Sequence, residues 1–265
     1  MNERVAILMC ASNAGATIRE AIDSILSQTY ENFEFIIVEN GSTDKTWETI
    51  SSYQDHRIRS FRTELRRLPF NLNYGLIQTN AYWVARMDAD DISYPQRIQR
   101  QMEYLSENPD IDVLGSSFNV FGEGFEERVI KMPTDNMAIR TPLPFVLSIC
   151  HPTVIVRRDK ILAAGGYGLT YSEDLDLWLR LCRDQSIRFA NIPESLLRYR
   201  LHKDQSKGAR ESYFSAAAVL FREAFMQSSP RLFVGSLLTV AKYYIGNVLG
   251  FKRVLTKFGF VRRAF

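Results

Sequence analysis

Three carboxylates in four residues, Asp88, Asp90 and Asp91, directly follow the short apolar run 82–85 and Arg86-Met87. Such a run reads as a buried strand, which sets the acids at a strand's end. Like charges packed so closely repel, and strongly in a low-dielectric crevice. A cation is the simplest remedy, because Asp oxygens are hard ligands suited to Mg²⁺ or Mn²⁺ shared with a phosphate. A plainer reading makes the segment a solvated acidic turn, with Asp91 or Ser93 capping a helix opened by Pro95. An Asp-Ala-Asp triplet is too short to choose between the two. Its surroundings have to decide.

The elements that must hold these acids read as alternating strands and helices. Residues 5–9 form a continuous apolar run, as in a strand buried on both faces. A small-residue turn at 11–16 follows, and then Ile18, Ala21, Ile22, Ile25 and Leu26 share one helical face. The pattern repeats with a strand at 33–38, a turn at 39–44 and a helix carrying Trp47, Ile50 and Tyr53. A third strand at 58–62 and a helix at 72–79 lead to the strand before Asp88. This alternation predicts right-handed crossovers and a mostly parallel α/β sheet. Ligands of such sheets bind beyond the carboxyl ends of the strands, so the loops around Asn13, Asn40 and Asp88 are expected at one edge. The chain has no Gly-x-Gly-x-x-Gly and no Walker Gly-Lys-Ser/Thr.

Farther on, a helix from Pro95 carries Ile98, Met102 and Leu105 and stops at Asn108-Pro109. The sequence then predicts a strand at 113–115, a hairpin over 118–132 turning at Gly122-Glu123-Gly124, and a strand at 153–156. Gly165-Gly166-Tyr167-Gly168 is a flexible loop. Residues 173–184 form an amphipathic helix with Leu175, Trp178, Leu179 and Cys182 on one face. From Ala216 onward the pattern is helical. No internal repeat or low-complexity segment is visible.

The chain has 265 residues, 46% hydrophobic and 24% charged, an ordinary composition for a soluble globular protein. Its three cysteines, Cys10, Cys150 and Cys182, are far apart and form no Cys-x-x-Cys. Free thiols and a reducing compartment are expected. The apolar run 5–11 is too short for a secretory signal. Net charge is +3, unevenly spread: residues 207–265 hold ten Lys/Arg against two Glu, so this tail carries +8 and the body −5. An acidic body argues against nucleic-acid binding, and a basic tail points to an anionic surface. The apolar stretch 232–251 is nominally long enough to span a bilayer. Lys242 within it and basic residues around it (Arg231, Lys252, Arg253, Lys257, Arg262 and Arg263) fit interfacial helices better than a spanning one. Packing on the body or on a second copy is the other expectation.

These residues, taken together, resemble the family 2 glycosyltransferases, inverting enzymes of the GT-A fold that build bacterial cell-surface glycans. The matching pieces come in the family's order. They are the strand–Ser12-Asn13–helix segment ending at 24–30, Phe33-Glu34 through Ile36-Ile37-Val38 to Glu39-Asn40-Gly41-Ser42-Thr43-Asp44, Leu72-Asn73-x-Gly75, and Ala85-Arg86-Met87-Asp88-Ala89-Asp90-Asp91. His151-Pro152-Thr153, Gly165-Gly166-Tyr167, Glu173-Asp174-x-Asp176-x-Trp178 and Tyr199-Arg200-x-His202 complete the set, with Gln205-Ser206 closer together than in the family. Any one piece is weak; the ordered set is strong.

The resemblance implies a GT-A domain over 1–206, with a nucleotide-binding half at 1–115, an acceptor-binding half at 116–206, and a helical basic and apolar extension at 207–265. It implies a divalent ion, Mn²⁺ or Mg²⁺, on Asp90 and Asp88, with His202 as a further metal or diphosphate ligand. Asp174 is implied as the base that deprotonates the attacking hydroxyl. Ala11, Asn13, Glu39, Asn40, Asn73, Arg86, Asp88 and Ala89 are implied to hold the sugar nucleotide. Arg86 either neutralises carboxylates or reaches the donor, and His151 is expected to position its loop. Where the family usually has Asp-Asp-Gly-Ser, this chain has Glu39-Asn40-Gly41-Ser42. An Asn carbonyl also accepts from a pyrimidine N3–H, which leaves UDP- and dTDP-sugars ahead of GDP-sugars.

The expectation is therefore metal-dependent, inverting sugar transfer to a glycan or lipid-linked glycan, at the cytoplasmic face of the membrane, by a protein that is free to oligomerise. A sugar-nucleotide nucleotidyltransferase is the runner-up, but residues 10–17 hold one Gly and no basic residue where its phosphate loop belongs. A non-catalytic sugar-nucleotide scaffold is the alternative from another class.

Overall fold

Continuous apolar runs in β1 (Val5–Ala11) and β2 (Phe33–Asn40) bury every residue, as strands covered on both faces must. The computed structural model describes residues 3–202 and 210–245. β1 pairs in parallel with β2 on one side and with β4 (Trp83–Asp88) on the other, and β2 pairs with β3 (Ile58–Thr63). The crossovers are α1 (Ile18–Leu26), α2 (Thr46–Ser51) and α3 (Leu68–Ile77). In this register Ala11 lies opposite Glu39 and Cys10 opposite Asp88. The loops around Asn13, Asn40 and Asp88 therefore open at one sheet edge, as the alternation predicted.

Successive residues of a strand point to opposite faces. Val5, Ile7 and Met9 pack with Trp83, Ala85 and Met87 under α1 and α4 (Arg97–Glu107). Ala6, Leu8, Cys10 and Val84 pack on the other face, under α3, α6 (Arg158–Ala163), α7 (Glu173–Leu181) and α8 (Arg210–Met226). A Cβ on Gly75 of α3 would lie 2.2 Å from Leu8 Cδ1, so this helix sits on the sheet at a distance only glycine permits.

The second half of the sheet is mixed. Its order runs β3-β2-β1-β4-β8-β6-β9-β5, with β7 (Phe125–Ile130) on β6 (Val113–Gly122). β8 (Ile155–Arg157) is antiparallel to β4 and β6, and β5 (Ile92–Ser93) is antiparallel to β9 (Phe189–Arg200). The hairpin turns at 122–124 as expected, but β6 is one strand of ten residues. The twelve-residue β9 has no counterpart in the sequence reading, because its period breaks. Ser116 pairs with Ile192 but Ser117 with Ser195, which leaves Pro193 and Glu194 as a bulge. Proline has no N–H for the ladder and is tolerated in such a place. The reading also lacked the short α5 (Asn136–Arg140) and α6.

α4 begins at Arg97, beyond Pro95; the Gln96 side chain does not cap it, and Gln28 Oε1 accepts its Ile98 amide at 3.0 Å. Asp91 instead accepts the Arg200 amide at 2.8 Å, and Ser93 Oγ accepts from Gln28. The capping role read from the sequence for Asp91 or Ser93 is thereby overturned; both side chains are spent on distant segments.

α8 and α9 (Pro230–Tyr243) pack against each other and on the body. Ser236 donates to the Ala217 carbonyl, Lys242 to that of Phe145, and a Gly235 Cβ would stand 2.5 Å from the Pro144 carbonyl oxygen. Among the described residues no helix is long and apolar enough to cross a membrane. The expectations for residues 203–209, including Gln205-Ser206, and for the basic stretch 246–265 lie outside the described residues.

Candidate active site

The acidic turn leaves the end of β4, where Arg86 and Asp88 share the face of Val84. Arg86 is buried, and it donates to its neighbour Asp88 and to the Met87 carbonyl. Its burial disfavours the charge, but the fields of Asp88, Cys10, Tyr167 and Glu173 outweigh it. Asp88, Asp90 and Asp91 each offer an oxygen, all within 4.8 Å of one another. Burial, and after it the charge of Asp88, raises the Asp90 carboxyl above the usual range. Asp91 is pushed up much further by full burial and by both neighbours. Its Oδ2 is buried without a hydrogen-bond partner.

The turn is held from several sides. Thr17 Oγ1 donates to the Ala89 carbonyl at 3.0 Å, and Arg200 Nε to the Asp90 carbonyl at 2.7 Å. His202 Nε2 stands 3.1 Å from Asp90 Oδ2. Beneath it the buried Arg97 donates to the Arg86 carbonyl at 2.7 Å and to Gln101. Burial lowers Arg97 to about 10, against the attraction of Asp91. Sequence reading missed Arg97 and gave Arg200 no role beyond its place in the Tyr199-Arg200-x-His202 motif. A signal for Arg97 existed: it lies one residue before Ile98 on the face that goes on to Gln101 and Leu105, and a charge on a buried stripe needs a partner.

The first two loops are stitched together. Asn13, at φ +50°, accepts the Thr43 amide through Oδ1 at 2.9 Å, and its own amide donates to Ser42 Oγ at 2.9 Å. Gly15 N–H donates to Asp44 at 2.8 Å. Ala11 is buried at the end of β1. Glu39 is fully buried and accepts from Arg62 Nε (2.9 Å) and from the Ser42 amide. It shapes the turn in which Gly41 adopts φ +67°. Both carboxylate oxygens of Glu39 are thus committed inside the protein, whereas the buried Asn40 Oδ1 has no partner.

Across the cleft, Glu173 and Asp174 open α7 on the Cys10 and Arg86 side of the sheet. Burial, and then the charge of Asp174, pushes Glu173 up to about 8; Arg86 and Asp88 also act on it. Asp174 acts with Glu173 and Arg86 on the buried Tyr167. Glu173, beside Asp174, therefore stands within electrostatic reach of Asp88 and Arg86 at the acidic turn. Asp174 Oδ1 accepts the Leu175 amide at 2.7 Å, as a carboxylate at a helix N-terminus does.

The loop before α7 is fixed by Asn73, whose Nδ2 donates to the Tyr167 carbonyl (2.8 Å) while its Oδ1 accepts the Tyr167 amide (2.7 Å). A Cβ on Gly166 would lie 2.5 Å from Asn73 Oδ1, and Gly166 has φ +73°. The Asn73 amide is used on this loop. Tyr167 OH lies 3.0 Å from His151 Nε2, and burial, helped by Arg86, keeps His151 neutral. His151 serves as a loop-holding residue. Burial pushes Cys10 up to about 12, so its thiol is inert. The three cysteines are free thiols.

The donor set suits a hard divalent cation: carboxylate oxygens in close array, an orphaned buried oxygen at Asp91, and an imidazole at Asp90. Such an ion would be held by Asp90, Asp88 and His202.

Residues 6–166 match the model of glycosyl transferase family 2. The O-antigen biosynthesis glycosyltransferase WbnJ of Escherichia coli is 32% identical over 249 residues, 92% of this chain and 97% of that protein. Staphylococcus aureus TarS (residues 1–349), solved with UDP-GlcNAc, superposes with a TM-score of 0.72 at 16% identity, over 94% of this chain and 75% of that one. The mannosyltransferase PcManGT of Pyrobaculum calidifontis, solved with GDP-Man and Mn²⁺, gives 0.67 at 16%, over 96% and 80%. The two structural likenesses establish the GT-A architecture. The family and the E. coli relative set the class of enzyme as sugar transfer, against nucleotidyl transfer or a passive scaffold.

Proposed function

We propose, from the premise that this chain belongs to glycosyl transferase family 2 and is a glycosyltransferase, that it is a metal-dependent, inverting enzyme using a UDP- or dTDP-linked sugar. The observation that supports this reading is the clustering of Asp88, Asp90 and Asp91 at the end of β4, with Asp88 and Arg86 acting electrostatically on Glu173 beside Asp174. Asp174 takes the proton as an acceptor hydroxyl attacks the anomeric carbon. The bond from that carbon to the diphosphate oxygen breaks, and the nucleoside diphosphate leaves with the electron pair. One in-line displacement inverts the centre, with no covalent sugar–enzyme intermediate. A divalent cation at Asp90, Asp88 and His202 would supply the charge neutralisation the departing diphosphate needs.

Arg86 orients Asp88 through an ion pair, and Asp91 with Arg97 supports the turn from behind. Asn40 Oδ1 suits a pyrimidine N3–H, since a buried acceptor without a partner loses about 1–3 kcal/mol until one arrives. Asn13, Glu39, Asn73, Ala11 and Ala89 shape the walls of the donor site around it. One structural neighbour is solved with UDP-GlcNAc and the other with GDP-Man and Mn²⁺, which supports a nucleotide-sugar donor and a divalent cation without choosing the base. A thermal-shift panel of UDP-, dTDP- and GDP-sugars with and without Mn²⁺ tests it. Stabilisation by UDP- or dTDP-sugars that needs Mn²⁺ is expected; a preference for GDP-sugars, or indifference to Mn²⁺, refutes the base or the metal assignment respectively.

The acceptor is proposed to be a glycan or a lipid-linked glycan met at the inner face of the cell membrane, in keeping with the O-antigen role of the E. coli relative. Phe221, Phe225, Phe233 and Leu237 are exposed on α8 and α9, and the sequence beyond them is rich in Lys and Arg. An apolar face with basic flanks is the composition of an interfacial anchor on anionic lipid. The full chain should sediment with phosphatidylglycerol vesicles, and Phe225→Ser with Leu237→Ser should release it. Equal sedimentation of that variant removes the membrane assignment.

A further inference from the structure

Behind the helix that carries Glu173 and Asp174 runs a set of ion pairs that sugar transfer as described leaves without a role. Asp176 of α7 is fully buried. Its Oδ2 accepts from Arg180 Nη2 (2.6 Å) and Nε (2.8 Å), and its Oδ1 accepts from Arg222 of α8. Arg180 also donates to the carbonyls of Ala164 and Gly166, the latter at 2.7 Å, in the loop that Asn73 clamps. Arg222 shares Glu223 Oε1 with Arg183, two residues past the end of α7, at 2.8 Å and 2.6 Å. Two further bonds tie α8 to the residues just before the acidic pair: Tyr171 N–H donates to Ser215 Oγ at 3.0 Å, and Ser172 Oγ to the Ser212 carbonyl at 3.2 Å. A Cβ on Gly168 would come within 2.3 Å of Asp176 Oδ2, so the loop closes directly over this carboxylate. Every link but those to Ala164 and Gly166 lies past residue 166, where the family match ends.

We propose that Arg222 is a positioning residue for catalysis: through Asp176 and Arg180 it fixes the first turn of α7, and with it the Asp174 carboxylate. This rests on the reading of Asp174 as the base. A buried carboxylate held by one arginine from its own helix leaves that helix free to rotate slightly. A second arginine from another helix pins the other oxygen and removes that freedom. Asp176 is two residues from Asp174, so a rotation at one is a displacement at the other. The general base must stand within hydrogen-bond reach of the hydroxyl, and small misplacements are costly. The C-terminal helical layer is thereby part of the catalytic assembly as well as a candidate anchor.

Arg222→Met and Arg222→Lys in the full-length protein test this, because Arg222 is half-exposed and both Asp176 and Glu223 keep another arginine. The probe is UDP release from UDP-GlcNAc or UDP-galactose with Mn²⁺, read beside amide hydrogen exchange across residues 165–176. Arg222→Met should lower kcat roughly 10- to 100-fold while donor KM stays within about twofold. Arg222→Lys should restore most of it, and exchange at 165–176 should quicken in the Met variant while that of β1 and β4 does not. Wild-type kcat or unchanged exchange at 165–176 in the Met variant overturns the proposal, as does a Lys variant no better than Met. Asp174→Asn run in parallel separates the two ideas. Turnover at the wild-type rate there removes the base and this proposal together; an inactive Asp174→Asn beside a normal Arg222→Met removes only the positioning role.

Discussion

Asp88, Asp90 and Asp91 leave the end of a central strand; Thr17, Arg97 and Arg200 hold that turn by its main-chain carbonyls, and Arg86, His202 and the Arg200 amide hold the carboxylates. Glu173 and Asp174 open a helix packed under α8; Asn73 and Arg180 hold the main chain of the loop before it, and Arg180 and Arg222 hold its Asp176 carboxylate. The first group gains rigidity from the sheet, whose register places Asp88 beside Cys10. The second borrows it from helices distant in sequence. A charge-binding site benefits from a fixed field, because preorganised groups need no reorganisation during the reaction. The proposed base needs its helix held as firmly, and there the hold comes from α8 rather than from the sheet.

The contrast can be broken most sharply by substituting one acid from each side. Asp90→Ala and Asp174→Asn should each lower the rate of UDP release about 10³-fold. Only Asp90→Ala should also abolish the Mn²⁺-dependent rise in thermal midpoint, since Asp174→Asn leaves the cation's oxygens in place. Loss of the Mn²⁺ response in both variants would mean that the clusters are not separable in function.

A smaller effect sharpens the same contrast from the side of stability. Glu173 is raised from 4.5 to about 8, by burial first and then by Asp174. Between those values the folded chain holds a proton that the unfolded chain has released. The sign follows: stability is fully present below the unfolded pKa and is lost as pH rises through the folded one. In EDTA, the thermal midpoint of the wild type should fall by roughly 3–6 °C more than that of Glu173→Gln between about pH 5 and about pH 8. Parallel curves for the two proteins would place the Glu173 carboxylate in water rather than in the crevice.

Much of the parallel half was legible because its signals are local. The runs in β1, β2 and β4 are continuous and apolar, and the turns at Asn13, Gly41 and Asp88 break them with polar residues. The antiparallel half was less so. β9 alternates imperfectly, carries Pro193 and pairs with a bulge, so neither period nor composition marks it as the strand that delivers Arg200 and His202 to the acids. At the site, the ordered motifs named both acidic groups. They gave no sign that the Asn73 amide would be spent on Tyr167, or Asp91 on the Arg200 amide.

By itself the sequence determined the strand–helix alternation, the chemical types at the crevice and the family resemblance, because periodicity and residue order survive in one dimension. Only the tertiary structure decided which charges meet. His202 at Asp90 and Arg222 at Asp176 are each pairs of residues far apart along the chain. Their attraction depends on distance and on exclusion of water, and neither quantity exists until the sheet and its helices have packed.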